Sequence, residues 1–197
     1  MTDISSKILN RIKKHGRGWV FTPKDFIDIA NRAAIDNVLS RQTAKGFITR
    51  LSKGVYHFPK PHKILGLISA DNDSLAKAVA AKTNDIIFPS GAYAANLIGL
   101  STQVPAQVSY LTNGKSRSKL LDGKLITLKH ARVPIIDNLS FEANLALQAL
   151  AYVGKKNLSD IEIDTCAKKL SPADKNSLKK AATLVPSWLA DTIHRMI

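Results

Sequence analysis

Apolar residues recur at Ile4, Ile8 and Ile12, a four-residue rhythm that forms one stripe of a helix, and Gly16 stands where such a helix closes. Trp19-Val20-Phe21 is a short extended-favouring run. Thr22-Pro23-Lys24-Asp25 then supplies an N-cap, a proline at the first helical position and an acid three residues after the cap, which predicts a second short helix over 23–30. Asn31-Arg32 offers a turn and a new cap before a third helix, Ala33 to Lys45, closed by Gly46. Two β-branched and aromatic runs, 47–51 and 55–58, flank the turn Ser52-Lys53-Gly54 and predict a hairpin. This order of elements predicts a winged helix-turn-helix over residues 1–60, and Pro59-Lys60-Pro61 marks its expected boundary.

The pattern beyond residue 60 predicts a mixed α+β domain over 61–197. An N-cap cluster at 71–74 opens a helix from Leu75 to about Lys82. Ile86-Ile87-Phe88 reads as a strand, and Pro89-Ser90 starts an Ala-rich helix that stops at Gly99. From Gln107 the period becomes alternating. Runs at 107–112, 117–121 and 124–130, separated by Asn113-Gly114 and Asp122-Gly123, predict a three-stranded antiparallel meander. Ser140, Ser159 and Ser171 each precede a helical pattern, so helices are expected at 141–153, 160–169, 172–184 and 187–196.

Charge sharpens this picture. The 197 residues carry 29 Lys and Arg against 15 Asp and Glu, a net charge of +14, and twelve of the cations lie in residues 1–60 against four acids. Such an excess attracts polyanions, and no helix pairs a basic face with the Trp/Phe/Leu face of an interfacial membrane helix, so nucleic acid is the expected partner and a membrane is not. A single thiol, Cys166, cannot close an internal disulfide. The start of the chain lacks the apolar core of a signal peptide, so a reducing, cytoplasmic setting is expected, with no metal and no cofactor.

On the helix at 33–45, Ile35, Val38, Leu39 and Gln42 share one face, while Ala33, Asp36, Asn37, Ser40 and Ala44 point away with Arg41 on the flank. A small polar face of this kind suits entry into a major groove, where Asn meets adenine, Arg guanine, Asp cytosine and an Ala methyl thymine; it equally describes an ordinary solvated helix. Arg17, Lys24, Lys45, Arg50 and Lys53 come from separate elements around it and are the expected phosphate anchors, and Arg32 joins the expected DNA-binding residues. A second basic face is expected from Lys115, Arg117, Lys119, Lys124 and Lys129, with Arg132 nearby. Either a polyanion contact or edge-strand protection accounts for it. Asp122-Gly123-Lys124 resembles the acid-x-Lys step of some metal-dependent nucleases but lacks a companion carboxylate, and the five histidines show no ligand or triad spacing.

The run from His15 to Phe26, then Arg32-Ala33-Ala34, and above all Pro89-Ser90-Gly91-Ala92, Leu97 to Ala106 and Tyr110-Leu111-Thr112-Asn113-Gly114, resemble the DUF6088 branch of the AbiEi-type antitoxins. That resemblance implies a non-enzymatic autorepressor that binds the promoter of its own operon. It further implies an antitoxin that neutralises a nucleotidyltransferase-like toxin in a type IV system, where a stable complex need not form. It places the recognition helix at Arg32 to Lys45 and the wing at Arg50 and Lys53, and leaves Pro89 to Ala106 without assigned chemistry. The alternatives are a protein-interaction module, or a metal-dependent nuclease using the meander.

Overall fold

The structure, a computed structural model, describes residues 4–64, 66–103 and 109–197. It comprises two compact units, Met1–Asp85 with Ser118–Ile126, and Ile86–Arg117 with Thr127–Ile197. The first therefore runs beyond the boundary expected at residue 60. Pro59-Lys60-Pro61 does not end the chain's extended course.

In the first unit, α1 (Ile4–His15) buries Ile8 and Ile12, and β1 is Val20–Phe21. The helix expected over 23–30 is only a 3-10 turn, Pro23–Phe26. Its capping box forms, with the Asp25 carboxylate 2.6 Å from the Thr22 amide. Arg11 packs against this turn: its guanidinium donates to the Asp25 carbonyl at 2.7 Å and to both oxygens of Asp28 at 2.6 Å. Helix α2 (Arg32–Ala44) starts where expected, its cap Asn31 accepting from the Ala34 amide at 2.9 Å.

Strands β2 (Thr49–Ser52) and β3 (Val55–His57) form the expected hairpin, but Ser52 pairs with Val55, leaving a two-residue turn, Lys53-Gly54, and an irregularity between Arg50 and Ser52. Gly54 has φ +72°, a conformation that only glycine adopts without strain. β1 adds antiparallel to β3, giving the order β1-β3-β2. Phe21, Phe26, Ile35, Leu39 and Ile48 fill the core between helices and sheet.

The sequence pattern did not predict the ribbon of β4 (Lys60–His62) and β5 (Gly66–Ile68), which are antiparallel with Pro61 opposite Leu67. A two-stranded ribbon leaves each strand one unpaired edge, where a proline is tolerated. Helix α3 (Asn72–Ala81) follows, capped by Asp71. It begins three residues before the expected Leu75.

The second unit contains β6 (Ile87–Pro89), α4 (Gly91–Ile98) and β7 (Ser109–Thr112). Residues 107 and 108 of the expected strand lie outside the described residues. Strands β8 (Arg117–Leu121) and β9 (Lys124–His130) complete a four-stranded sheet in the order β6-β7-β9-β8. This corrects the meander: β7 pairs with β9 in parallel, Ser109 opposite Thr127, and with β6 antiparallel. Asn113-Gly114 is not a hairpin turn because its groups serve other partners. The Asn113 side chain accepts from the Ile86 amide at 2.8 Å, and the Gly114 amide donates to Thr112 Oγ1 at 3.1 Å. Asp122-Gly123 does make a tight turn, with φ +51° and +73°.

Four helices follow, α5 (Phe141–Val153), α6 (Asp160–Lys169), α7 (Pro172–Ala181) and α8 (Ser187–Met196). The three serine caps form as expected. Ser140 also donates to Asp174 at 2.6 Å, and this bond is the main reason the Asp174 carboxyl is held below its usual range. Among the described residues no helix is long and apolar enough to cross a membrane.

Candidate nucleic-acid interface

Helix α2 presents the two faces expected of it. Ile35, Val38, Leu39 and Gln42 are buried, while Ala33, Asn37, Ser40, Arg41 and Ala44 are exposed and Asp36 is half-buried. The exposed ridge thus offers an amide, a hydroxyl and a guanidinium at positions one and three residues apart. Its only acid, Asp36, lies 2.8 Å from Arg32 Nε one helical turn earlier.

The expected anchors fall into distinct settings. Lys45, Arg50 and Lys53 are exposed at the end of α2 and on the β2–β3 hairpin. Arg17 is braced by donating to the Pro59 carbonyl at 2.9 Å with its guanidinium 4.9 Å above the Phe58 ring. Lys24 donates to the Asn84 side chain at 3.0 Å and is therefore engaged next to the end of α3.

One cation that the sequence pattern did not single out stands at the hairpin tip. Lys82, just after α3, donates its ammonium to the Lys53 carbonyl. A Cβ on Gly54 would lie 3.4 Å from Lys82 Cε and 3.9 Å from the Arg32 guanidinium, so the bare glycine turn is covered by two cationic side chains. Burial lowers the proton affinity of Lys82, and the charges of Lys119, Arg32 and Lys53 lower it further. Four cations stand here, and among the described residues Asp36 pairs with Arg32 alone. An arrangement that loses free energy through mutual repulsion is relieved by an anion at its centre.

The five residues expected to form a second basic face stand in different settings. Lys119 lies beside Lys82. Lys124 donates to the Ala70 carbonyl at 2.6 Å, beside the Asp122 carboxylate that accepts from the Ala70 amide at 3.0 Å. Arg117 donates to the Lys115 carbonyl at 3.3 Å, and Lys129 lines a pocket with His130 and Arg132 in the second unit. Asp122, the acid of the nuclease alternative, is committed to the backbone of Ala70.

His57, on β3, is 3% exposed, and its Nε2 meets no partner among the described residues. Burial lowers its pKa, and the nearby carboxylates of Asp122 and Asp71 offset this only in part. Cys166 is fully buried on α6, and burial pushes its thiol up to about 12, which leaves it unreactive at neutral pH. Among the described residues no group of three His, Cys, Asp or Glu side chains could hold a metal ion.

A comparison with curated proteins finds no match. Residues 7–178 match a protein family described as a family of unknown function, DUF6088. That span covers the α2 ridge, the hairpin and the cations around Gly54, and the chain belongs to the DUF6088 family.

Proposed function

We propose that the chain is a sequence-specific DNA-binding protein, a winged helix-turn-helix autorepressor whose second unit acts as antitoxin against a nucleotidyltransferase-like toxin. The observation that carries the DNA reading is the exposed ridge of α2, Ala33, Asn37, Ser40 and Arg41, with Lys45 at its end, the cations Arg32, Lys53 and Lys82 at Gly54, and Lys119 beside Lys82. Short polar groups on a helix reach base edges, and cations on flanking elements hold phosphates. The net charge of +14 supports the same partner. The antitoxin role rests on the family resemblance of the segments Pro89 to Ala106 and Tyr110 to Gly114, of which residues 104–106 lie outside the described residues.

The test is a fluorescence-anisotropy titration of the full chain with promoter duplex at several salt concentrations. Six phosphate contacts give a slope of log K against log salt of about −5. A slope near zero rejects groove docking. If a nucleotidyltransferase-like gene lies beside this one, co-expression with it tests the second role: restored growth supports it, and unrelieved toxicity or the absence of such a neighbour overturns it.

A further inference from the structure

The second unit contains a pocket of about 480 Å³, within the roughly 300–1,000 Å³ that holds small ligands. Its lining brings Lys129 and His130 from the end of β9 together with Arg132 just beyond, and sets them with Tyr152 at the end of α5 and Trp188 on α8. Among the described residues no carboxylate lines it. No described residue pairs with the Lys129 ammonium or the Arg132 guanidinium, so both charges are free to meet an anion. His130 Nδ1 lies 2.8 Å from the Gly114 carbonyl, which can only accept, so that nitrogen carries a proton and the ring orientation is fixed. Tyr152 is 59% exposed and Trp188 half-buried, so each has ring surface available for stacking.

The walls are built around small and anchored groups. A Cβ on Gly91, the first residue of α4, would come within 2.5 Å of Tyr152 Cβ, so only glycine lets that tyrosine keep its place. Gln148 is 3% exposed and donates to the Val133 and Pro134 carbonyls at 3.2 and 3.4 Å, which holds the segment that follows Arg132. The Pro89-Ser90-Gly91-Ala92 motif, for which DNA binding has no use, thereby gains a role through its glycine.

We propose that this pocket binds a phosphorylated aromatic ligand of nucleotide size, its base against Trp188 and Tyr152 and its phosphates on Lys129 and Arg132. Planar π-faces take a base, and an unpaired guanidinium takes phosphate oxygens in bidentate fashion. The site is independent of the DNA reading and survives its failure.

The experiment titrates the full chain with ATP, adenosine, inorganic pyrophosphate and a short single-stranded DNA. It is read by calorimetry on the unaltered protein and by Trp188 fluorescence in a Trp19→Phe background. Saturable ATP binding at least about tenfold tighter than adenosine or pyrophosphate is the expected result. The pair Lys129→Gln with Arg132→Gln loosens ATP by about tenfold or more, Gly91→Ala weakens it by displacing Tyr152, and Asn37→Ala leaves it unchanged. Equal affinity for pyrophosphate and ATP, binding of single-stranded DNA alone, or no saturable heat with any probe overturns the proposal.

Discussion

Helices α2 and α5 each run thirteen residues, yet α2 buries four positions on one stripe whereas α5 buries every residue from Ala143 to Leu150. Their polar residues differ in the same sense. On α5, Asn144 accepts from the Ile136 amide at 3.0 Å and donates to the Ile136 carbonyl at 2.9 Å, so its amide serves the chain just before the helix. On α2, Asn37 and Ser40 stand exposed with no comparable task. Helix α5 is committed to holding the second unit together, while α2 leaves one side uncommitted, and an uncommitted polar face is what a binding partner can use.

The contrast breaks first at the core. Leu147→Ala on α5, a fully buried position, should lower the unfolding free energy by about 2–5 kcal/mol, measured by denaturant titration. A loss under about 1 kcal/mol would show that α5 is not the second unit's central element. On α2 the ordering should reverse. Asn37→Ala or Arg41→Ala should leave stability within about 0.5 kcal/mol, yet lessen discrimination between operator and mutated operator by about 1–3 kcal/mol for a bidentate contact, measured by competition anisotropy.

The buried polar groups give a subtler test. Asn144 has partners, whereas Nε2 of His57 in the first unit has none among the described residues. Because burial lowers the folded-state pKa of His57, the unfolded chain binds the proton more readily. His57 therefore favours folding above the ordinary histidine range, about 6.5, and that contribution is lost as pH falls through the lowered value. Acid should weaken the first unit through this window, and His57→Leu should flatten the dependence, read from denaturation midpoints at stepped pH. The smallest effect concerns Lys82. Replacing it by Gln should make the salt slope of DNA binding shallower by about 0.9, one phosphate contact, with base preference intact. An unchanged slope would remove Lys82 from the interface while leaving α2 in it.

Local features were legible in the chain. The Ile35-Val38-Leu39-Gln42 stripe, the Asn31 cap and the capping serines all depend on neighbours within one helical turn, and they form as the pattern predicts. Non-local choices were not legible. Asn113-Gly114 favours a hairpin turn, but the strand it precedes pairs elsewhere, because the Asn113 side chain is used by Ile86, 27 residues away. The β4–β5 ribbon is exposed throughout and carries no alternation to reveal it. Lys82 reaches the hairpin across 29 residues, and no local motif marks that approach; its only signal is the position of a cation just past a helix end.

The bonds between Ala70 and the Asp122-Gly123-Lys124 turn join positions more than fifty residues apart. A ribosome that has released only the first 85 residues has not yet supplied Ser118–Ile126, so this unit cannot be finished during early synthesis. Its assembly waits for a late stretch of the polypeptide, and a shortened product ending before that stretch would lack the clasp that closes on Ala70.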